Sequence, residues 1–326
     1  MKTLLAILLA PLLSAAPRQV TDMAGRQVTL PEHVHTVATL GAVPVLNSFL
    51  FALGEGDKLV NGLPLSFRSP RYRMQTRFAP RLADLPALQM AANAPSLEQL
   101  VALAPDVVLT MDRATADALG RHGVPTLVLS WQQPEDVKRL MRLLGDVLRK
   151  REAAEDYVRY FDETVARVAA PRAQRPRVLF CSYRRLTQDH LIAEWWIEAA
   201  GGISVTNNGR HAEAFAFSVE HILAWNPEVL VVADVDDVAA VRQDLRLRDV
   251  AAVRSGRVYV SPMGAHLWAN RTAELPLMLL WAAKTFYPER FAGLDMVHEM
   301  QTFYSRFFHY AIPAEEAHQI LENKFR

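Results

Sequence analysis

The segment SLEQLVALAPDVVLT (96–110) lies over SVEHILAWNPEVLVV (218–232) without a gap. Both read Ser, aliphatic, Glu, any residue, two aliphatics, Ala, two variable positions, Pro, an acid, Val, and then a mainly aliphatic run. Ser96 and Ser218 stand where a helix N-cap belongs, and a glutamate two residues further on suits the positive end of the helix dipole. Pro105 and Pro227 stop each helix, and the apolar run beyond suits a strand covered on both faces. A chain that carries this helix–turn–buried-strand unit twice is constrained to two related α/β halves.

The surroundings of each copy extend the pattern. In the first half, strands are expected at 34–40, 59–63 and 126–130, with a turn and helix over 41–53. In the second, strands are expected at 177–182, 203–206 and 257–261, with a helix over 194–202. Strands alternating with helices imply parallel sheets with crossover helices. Residues 134–170 are almost all helix formers, with Leu140, Leu144, Leu148, Tyr157, Phe161 and Val165 at helical spacing. Gly145 marks a joint there between a shorter and a longer helix. The expected fold is therefore α/β, with two Rossmann-like lobes of parallel sheet joined by one long rigid helix. Its divisions are a signal peptide (1–16), an N-terminal lobe (17–133), the linking helix (134–170) and a C-terminal lobe (171–326) that closes with a helical segment over about 299–325.

The opening MKTLLAILLAPLLSAA has one basic residue, Lys2, an apolar run too short to span a bilayer, and then small residues. This is the layout of a secretory leader, with cleavage expected after Ala16. Removing it takes away one of 36 basic residues and none of 35 acidic ones, which leaves a formally neutral chain. Neutrality gives no reason to expect nucleic acid or an anionic membrane as partner. The single cysteine, Cys181, excludes an intrachain disulfide and lies far from the leader, so no lipid anchor is expected. A monomer exported to a bacterial periplasm is the expectation.

The stretch VTDMAGRQVTLPEHVHTVATLGAVPVLNSFLFALGEGDKLVNGLP (20–64) resembles the start of the periplasmic binding proteins that serve ABC importers of iron–siderophore, haem and cobalamin chelates. The repeated S-x-E-x-[IL]-x-A-x-x-P-[DE]-V unit is similar to that family's mark in each lobe. Residues 268–291, W-x-x-R-x-x-E-x-P-L-x-x-L-W-x-A-K-x-x-Y-P-E-x-F, resemble a C-terminal signature of one branch. The resemblance runs from about residue 20 to the end. It implies two lobes on a rigid helix with ligand held in the cleft between the lobes, little closure, no enzymatic activity and no cofactor. It also implies that a surface carboxylate on each lobe docks onto arginines of an inner-membrane permease. Glu220 matches that position in the second lobe. In the first lobe Arg113 occupies the matching spot, which leaves Glu98 or Asp117 to substitute.

Ligand chemistry belongs where loops at the carboxyl ends of strands face the cleft. LSFRSPRYRM (65–74) offers Arg68, Arg71, Arg73 and Tyr72 as an anion clamp, with Arg68 placed best because it is nearest the strand end. CSYRRL (181–186) offers Tyr183 and Arg184 at the position of the family's ligand loop. GAHLWANRT (264–272) sets Trp268 beside Arg271, an aromatic platform and a guanidinium for a flat or anionic chelate. His211 and His266 are weak candidates as nitrogen donors to a metal. His33 and His35 lack the further ligands of a zinc or copper site. In ADVDD (233–237), Asp236 or Asp237 is expected to cap the next helix. Cys181 reads as a buried small hydrophobe, and no nucleotide loop or nucleophile elbow is present.

These readings point to a solute carrier whose leading ligand is an iron–siderophore, because that is the family's commonest cargo. A molybdate- or tungstate-like oxyanion, or a nickel or cobalt complex, is the alternative. An exported α/β enzyme acting on an acidic small molecule, or a sensor presenting a liganded surface, is a more distant reading. Arg271→Ala is expected to weaken binding of an anionic ligand by about 1–3 kcal/mol. Unchanged affinity in a calorimetric titration removes Arg271 from the site.

Overall fold

The computed structural model describes residues 16–89, 95–169 and 174–325. The expected leader falls almost wholly outside them. A hairpin of β1 (Arg18–Thr21) and β2 (Gln27–Leu30) opens the chain. Asp22 closes its turn, accepting from the amides of Ala24 and Arg26.

The first half then builds β3 (Val37–Leu40), α1 (Val43–Ala52), α2 (Arg73–Phe78), α3 (Leu97–Leu103), β4 (Val107–Thr110), α4 (Arg113–Gly120) and β5 (Thr126–Val128). Strands β3, β4 and β5 pair in that order, all parallel. The expected strand at 59–63 does not form beyond a single bridge from Leu59 to Val37. The Asn61 side chain does the pairing in its place. It accepts from the Thr39 amide at 2.8 Å and donates to the Thr39 carbonyl at 3.0 Å, which satisfies the sheet edge without a strand.

Two helices follow, α5 (Pro134–Val147) and α6 (Arg151–Val168), rather than one long rod. The break falls at Arg149, whose φ is +59°, and not at Gly145. Gly145 instead lets the pair approach, because a Cβ there would lie 2.5 Å from the Ala154 Cβ.

The second half contains β6 (Arg177–Cys181), β7 (Thr187–Gln188), α7 (Ile192–Ala199), β8 (Ile203–Ser204), β9 (Phe215–Ala216), α8 (Val219–Trp225), β10 (Val229–Val232), α9 (Val235–Gln243), α10 (Ala251–Arg254) and β11 (Val258–Val260). Its sheet runs β11-β10-β6-β8, again parallel. Helices α11 (Leu275–Phe286), α12 (Met296–Phe307) and α13 (Ala314–Leu321) complete the chain. The closing segment expected as one helical stretch is thus α12 and α13, separated near His309, whose φ is +52°.

The duplicated unit has the same geometry in both halves. Helices α3 and α8 have equal length, and each ends on a left-handed residue before the proline, Ala104 at φ +43° and Asn226 at φ +42°. The strands that follow, β4 and β10, lie in separate sheets and are buried throughout. The serines share the N-cap position but not the bonding. The amide and hydroxyl of Ser218 meet His221 Nδ1 at 3.2 and 3.0 Å, whereas the Ser96 side chain makes no capping bond.

Alternate residues of each strand face different cores. Val107, Leu109, Val229 and Val231 join one large cluster with α1, α5, α6, α7, α11 and α12. Leu179, Cys181, Leu230 and Val232 face a second cluster, and Ala38, Leu40 and Val108 a third. Burial raises the Cys181 thiol well above its ordinary value, as expected of a core cysteine.

Ala104 adopts a backbone conformation that costs an L-residue with a Cβ about 1–2 kcal/mol and that asparagine or glycine tolerates. Ala104→Asn, which copies the second unit, is expected to raise unfolding stability by about 0.5–1 kcal/mol. A urea midpoint that does not increase refutes this.

Candidate functional site

Segments beyond the carboxyl ends of β6, β10 and β11 meet a loop of the first half over a cavity of about 530 Å³. Residues 65–74 come from the first half, and 181–186 and 264–272 from the second. Arg71, Tyr72, Arg184, Arg185, Asp234 and His266 are among the lining residues. The position fits a ligand cleft between α/β units.

Arg71 crosses the cavity from the first half to the second. Its Nη1 donates to Asp234 Oδ2 at 2.6 Å, its Nη2 to the Ala233 carbonyl at 2.6 Å and its Nε to Met263 Sδ at 2.9 Å. From the other wall, Arg184 Nε donates to Asp237 Oδ1 at 2.7 Å, while its Nη2 lies 3.6 Å from Asp234 Oδ1. Arg185 pairs with Asp189 and donates to Ser182 Oγ at 2.8 Å. The three guanidiniums of the lining are thus matched by the carboxylates of Asp189, Asp234 and Asp237. Asp234 caps α9, its Oδ1 accepting from the Asp236 amide at 3.0 Å. Capping therefore falls to Asp234 and not to the expected Asp236 or Asp237. Asp237 is buried and accepts from the Tyr183 amide at 3.0 Å.

Tyr72 and His266 supply the rings of the wall, 5.9 Å apart. Burial holds the Tyr72 phenol above its ordinary value despite Arg71 beside it, so it remains a hydrogen-bond donor at neutral pH. Burial, reinforced by the charges of Arg71, His190 and Arg271, pushes the His266 imidazole down to about 3. His266 is neutral at pH 7, and its buried Nδ1 has no hydrogen-bond partner among the described residues.

The loop that carries His266 is fixed from beneath. Buried Glu274 accepts from the Ala265 amide at 2.9 Å, the His266 amide at 3.2 Å, Thr272 Oγ1 at 3.0 Å and the Tyr304 hydroxyl at 2.5 Å. Gly264 is required here, because a Cβ would sit 1.8 Å from Glu274 Oε1. From the first half, Gln75 Nε2 donates to the Ala265 carbonyl at 2.7 Å.

Of the candidate ligand residues singled out in the sequence, Arg71, Tyr72, Arg184 and His266 line this cavity, and Arg68, Arg73, Tyr183, Trp268, Arg271 and His211 do not. Arg68 is exposed, donates to the Leu63 carbonyl at 2.9 Å and faces a separate depression. The Tyr183 ring packs in the second-half core, and its hydroxyl donates to Asp244 Oδ2 at 2.5 Å. Trp268 is fully buried in the large core and provides no platform. Arg271 stacks over Trp131 at 5.8 Å and lies 3.7 Å from Glu213, not beside Glu274. His211 is exposed and outside the lining. The sequence ranks Arg71 behind Arg68 within the clamp, and it offers Asp234 only as part of an acidic turn. Arg71 is the third residue past Arg68, and the short helical turns at Leu65–Phe67 and Pro70–Tyr72 decide which arginine faces inward. Glu98 and Glu220 are exposed in the first turns of α3 and α8.

The depressed His266 pKa carries a stability signature. Between about pH 6.5 and 3 the unfolded chain takes up a proton at this position that the folded chain refuses. Stability from this group is therefore full above 6.5 and falls with decreasing pH, by at most about 1.4 kcal/mol per unit. His266→Gln is expected to flatten the melting-temperature profile between pH 6.5 and 4. An unchanged slope shows that His266 titrates normally.

Comparison with known proteins agrees with this architecture. The chain is 24% identical to the molybdate-binding protein MolA of Haemophilus influenzae, over 93% of this chain and 95% of that one. The solved structure of MolA bound to molybdate superposes with a TM-score of 0.77 at 22% identity, covering 91% of this chain and 99% of the other. A periplasmic solute-binding protein from Veillonella parvula gives a TM-score of 0.80 at 24% identity, covering 94% and 97%. A family model for periplasmic binding proteins matches residues 48–263, more than half of the 326 residues. The chain belongs to the periplasmic binding protein family, whose members bind solutes for transport and are not enzymes.

Proposed function

We propose that the protein is the periplasmic solute-binding component of an ABC importer and that its cargo is a compact metal oxyanion of the molybdate or tungstate kind. One observation carries this reading: Arg71 from one half and Arg184 and Arg185 from the other converge on one cavity, with the protonated Tyr72 phenol beside them. Guanidinium forks and a phenol donor suit a small anion that presents oxygen on every side. The alignment with the molybdate-binding protein of H. influenzae, over 93% of this chain, supports the same class. The aromatic shelf expected for a flat chelate is not part of the wall, since Trp268 lies in the core and Tyr183 points away. That moves an iron–siderophore from first place to second.

A different observation favours the second reading, a metal chelate such as an iron–siderophore or a nickel or cobalt complex. The cavity of about 530 Å³ has room for a drug-sized ligand. The neutral imidazole of His266 could complete the coordination of a chelated metal. In either case Glu98 and Glu220, exposed at matching places in the two halves, are the proposed docking points for the permease. Asp117 is less suited, because Arg26 and Arg113 already engage it at 3.3 and 3.8 Å.

Calorimetric titration with molybdate, tungstate, sulfate, a ferric catecholate and nickel–histidine separates the two readings. Stoichiometric binding of molybdate or tungstate is expected, and saturation at 100 times Kd adds about 2.7 kcal/mol to stability in a thermal melt. Arg71→Ala should lose at least tenfold in affinity. Binding of chelates alone, with no response to any oxyanion, overturns the oxyanion reading.

A further inference from the structure

The cleft already contains an anion of its own. Asp234 Oδ2 takes a 2.6 Å bond from Arg71 of the first half, and its Oδ1 lies 3.6 Å from Arg184 of the second. The remaining nitrogens of Arg71 are bonded to Ala233 and Met263, so the opposite wall takes three of its five N–H donors, one at each nitrogen. The carboxylate is a quarter exposed and faces the cavity, unlike that of Asp237, which is sunk against the Tyr183 amide. We infer that Asp234 is a built-in counter-anion that sets the affinity of the site: it occupies the two arginines when the cleft is empty, and an incoming oxyanion must take them from it. The inference rests on the oxyanion reading above and adds a residue that opposes binding to those that favour it.

The physical reason is Coulombic. Two like charges about 4 Å apart in a partly buried cleft repel more strongly than they would in bulk water. An oxyanion seated on Arg71 and Arg184 has the Asp234 carboxylate as its neighbour, and the other cavity acids, Asp189 and Asp237, remain bound to Arg185 and Arg184. Neutralising Asp234 therefore removes a repulsion and a competitor together. The repulsive part scales with ligand charge, so a dianion gains more than a monoanion of the same shape.

Asp234→Asn tests this while leaving an oxygen to cap α9, and Asp234→Ser supplies a second uncharged capping residue. Tungstate and perrhenate serve as tetrahedral oxyanions of similar shape with two charges and one. In both variants tungstate affinity is expected to rise at least tenfold, with a smaller gain for perrhenate and a steeper loss of affinity with added salt. Binding that becomes measurable only in the variants supports the inference equally. Equal or weaker tungstate binding by variants that melt like the parent protein overturns it and leaves the oxyanion reading standing. If neither the parent nor the variants bind either anion, the oxyanion reading falls and takes this inference with it.

Discussion

The two halves are fastened to one apolar interior, and the shape of the cleft depends on that. The inner face of each sheet, the helices α5 and α6 that connect them, and α11 and α12 from the end of the chain form a single buried cluster. Where the halves meet, backbone groups of Ala273 are held from both sides. The Tyr157 hydroxyl donates to its carbonyl at 2.7 Å, and its amide donates to Ser48 Oγ at 3.1 Å. Each such buried bond is worth only about 1 kcal/mol net, but leaving its partner unsatisfied costs more. Sliding one half over the other would break these bonds and expose core.

A line of buried amides extends the same constraint toward the cavity. Asn61 grips Thr39, the Thr39 hydroxyl donates to Asn47, Asn47 donates to Gln75, and Gln75 reaches the Ala265 carbonyl. The loop bearing His266 is thus set by the first half from one side and by Glu274 from the other. Preorganisation of this kind lowers the ordering cost of binding. It also leaves the arginines, with their carboxylate partners, as the adjustable parts of the site.

Much of the fold was legible in the sequence because repetition and periodicity are local signals. The duplicated unit placed both helices and both buried strands, and turn prolines marked their ends. What escaped depended on direction. A tryptophan three residues before an arginine reads as an exposed platform, yet Trp268 turns inward and Arg271 leans on Trp131 instead. The spacing of arginines in 65–74 cannot show that two short helical turns aim Arg71, and not Arg68, at the cleft. The strand expected at 59–63 failed because an asparagine side chain can imitate a strand's pairing, which no hydrophobicity pattern records.

The common interior has a consequence for unloading. Molecules with a hinge can empty by swinging apart, since the open form lies close in energy. Here swinging apart would break the bonds of Tyr157 and Ser48 to Ala273 and expose core. Emptying the cavity is instead a matter of moving its rim, where the bonds of Arg71 to Asp234, Ala233 and Met263 hold the 65–74 segment to the opposite wall. Any machine that receives the cargo would then need to pry at a lip and not to spread a pair of jaws.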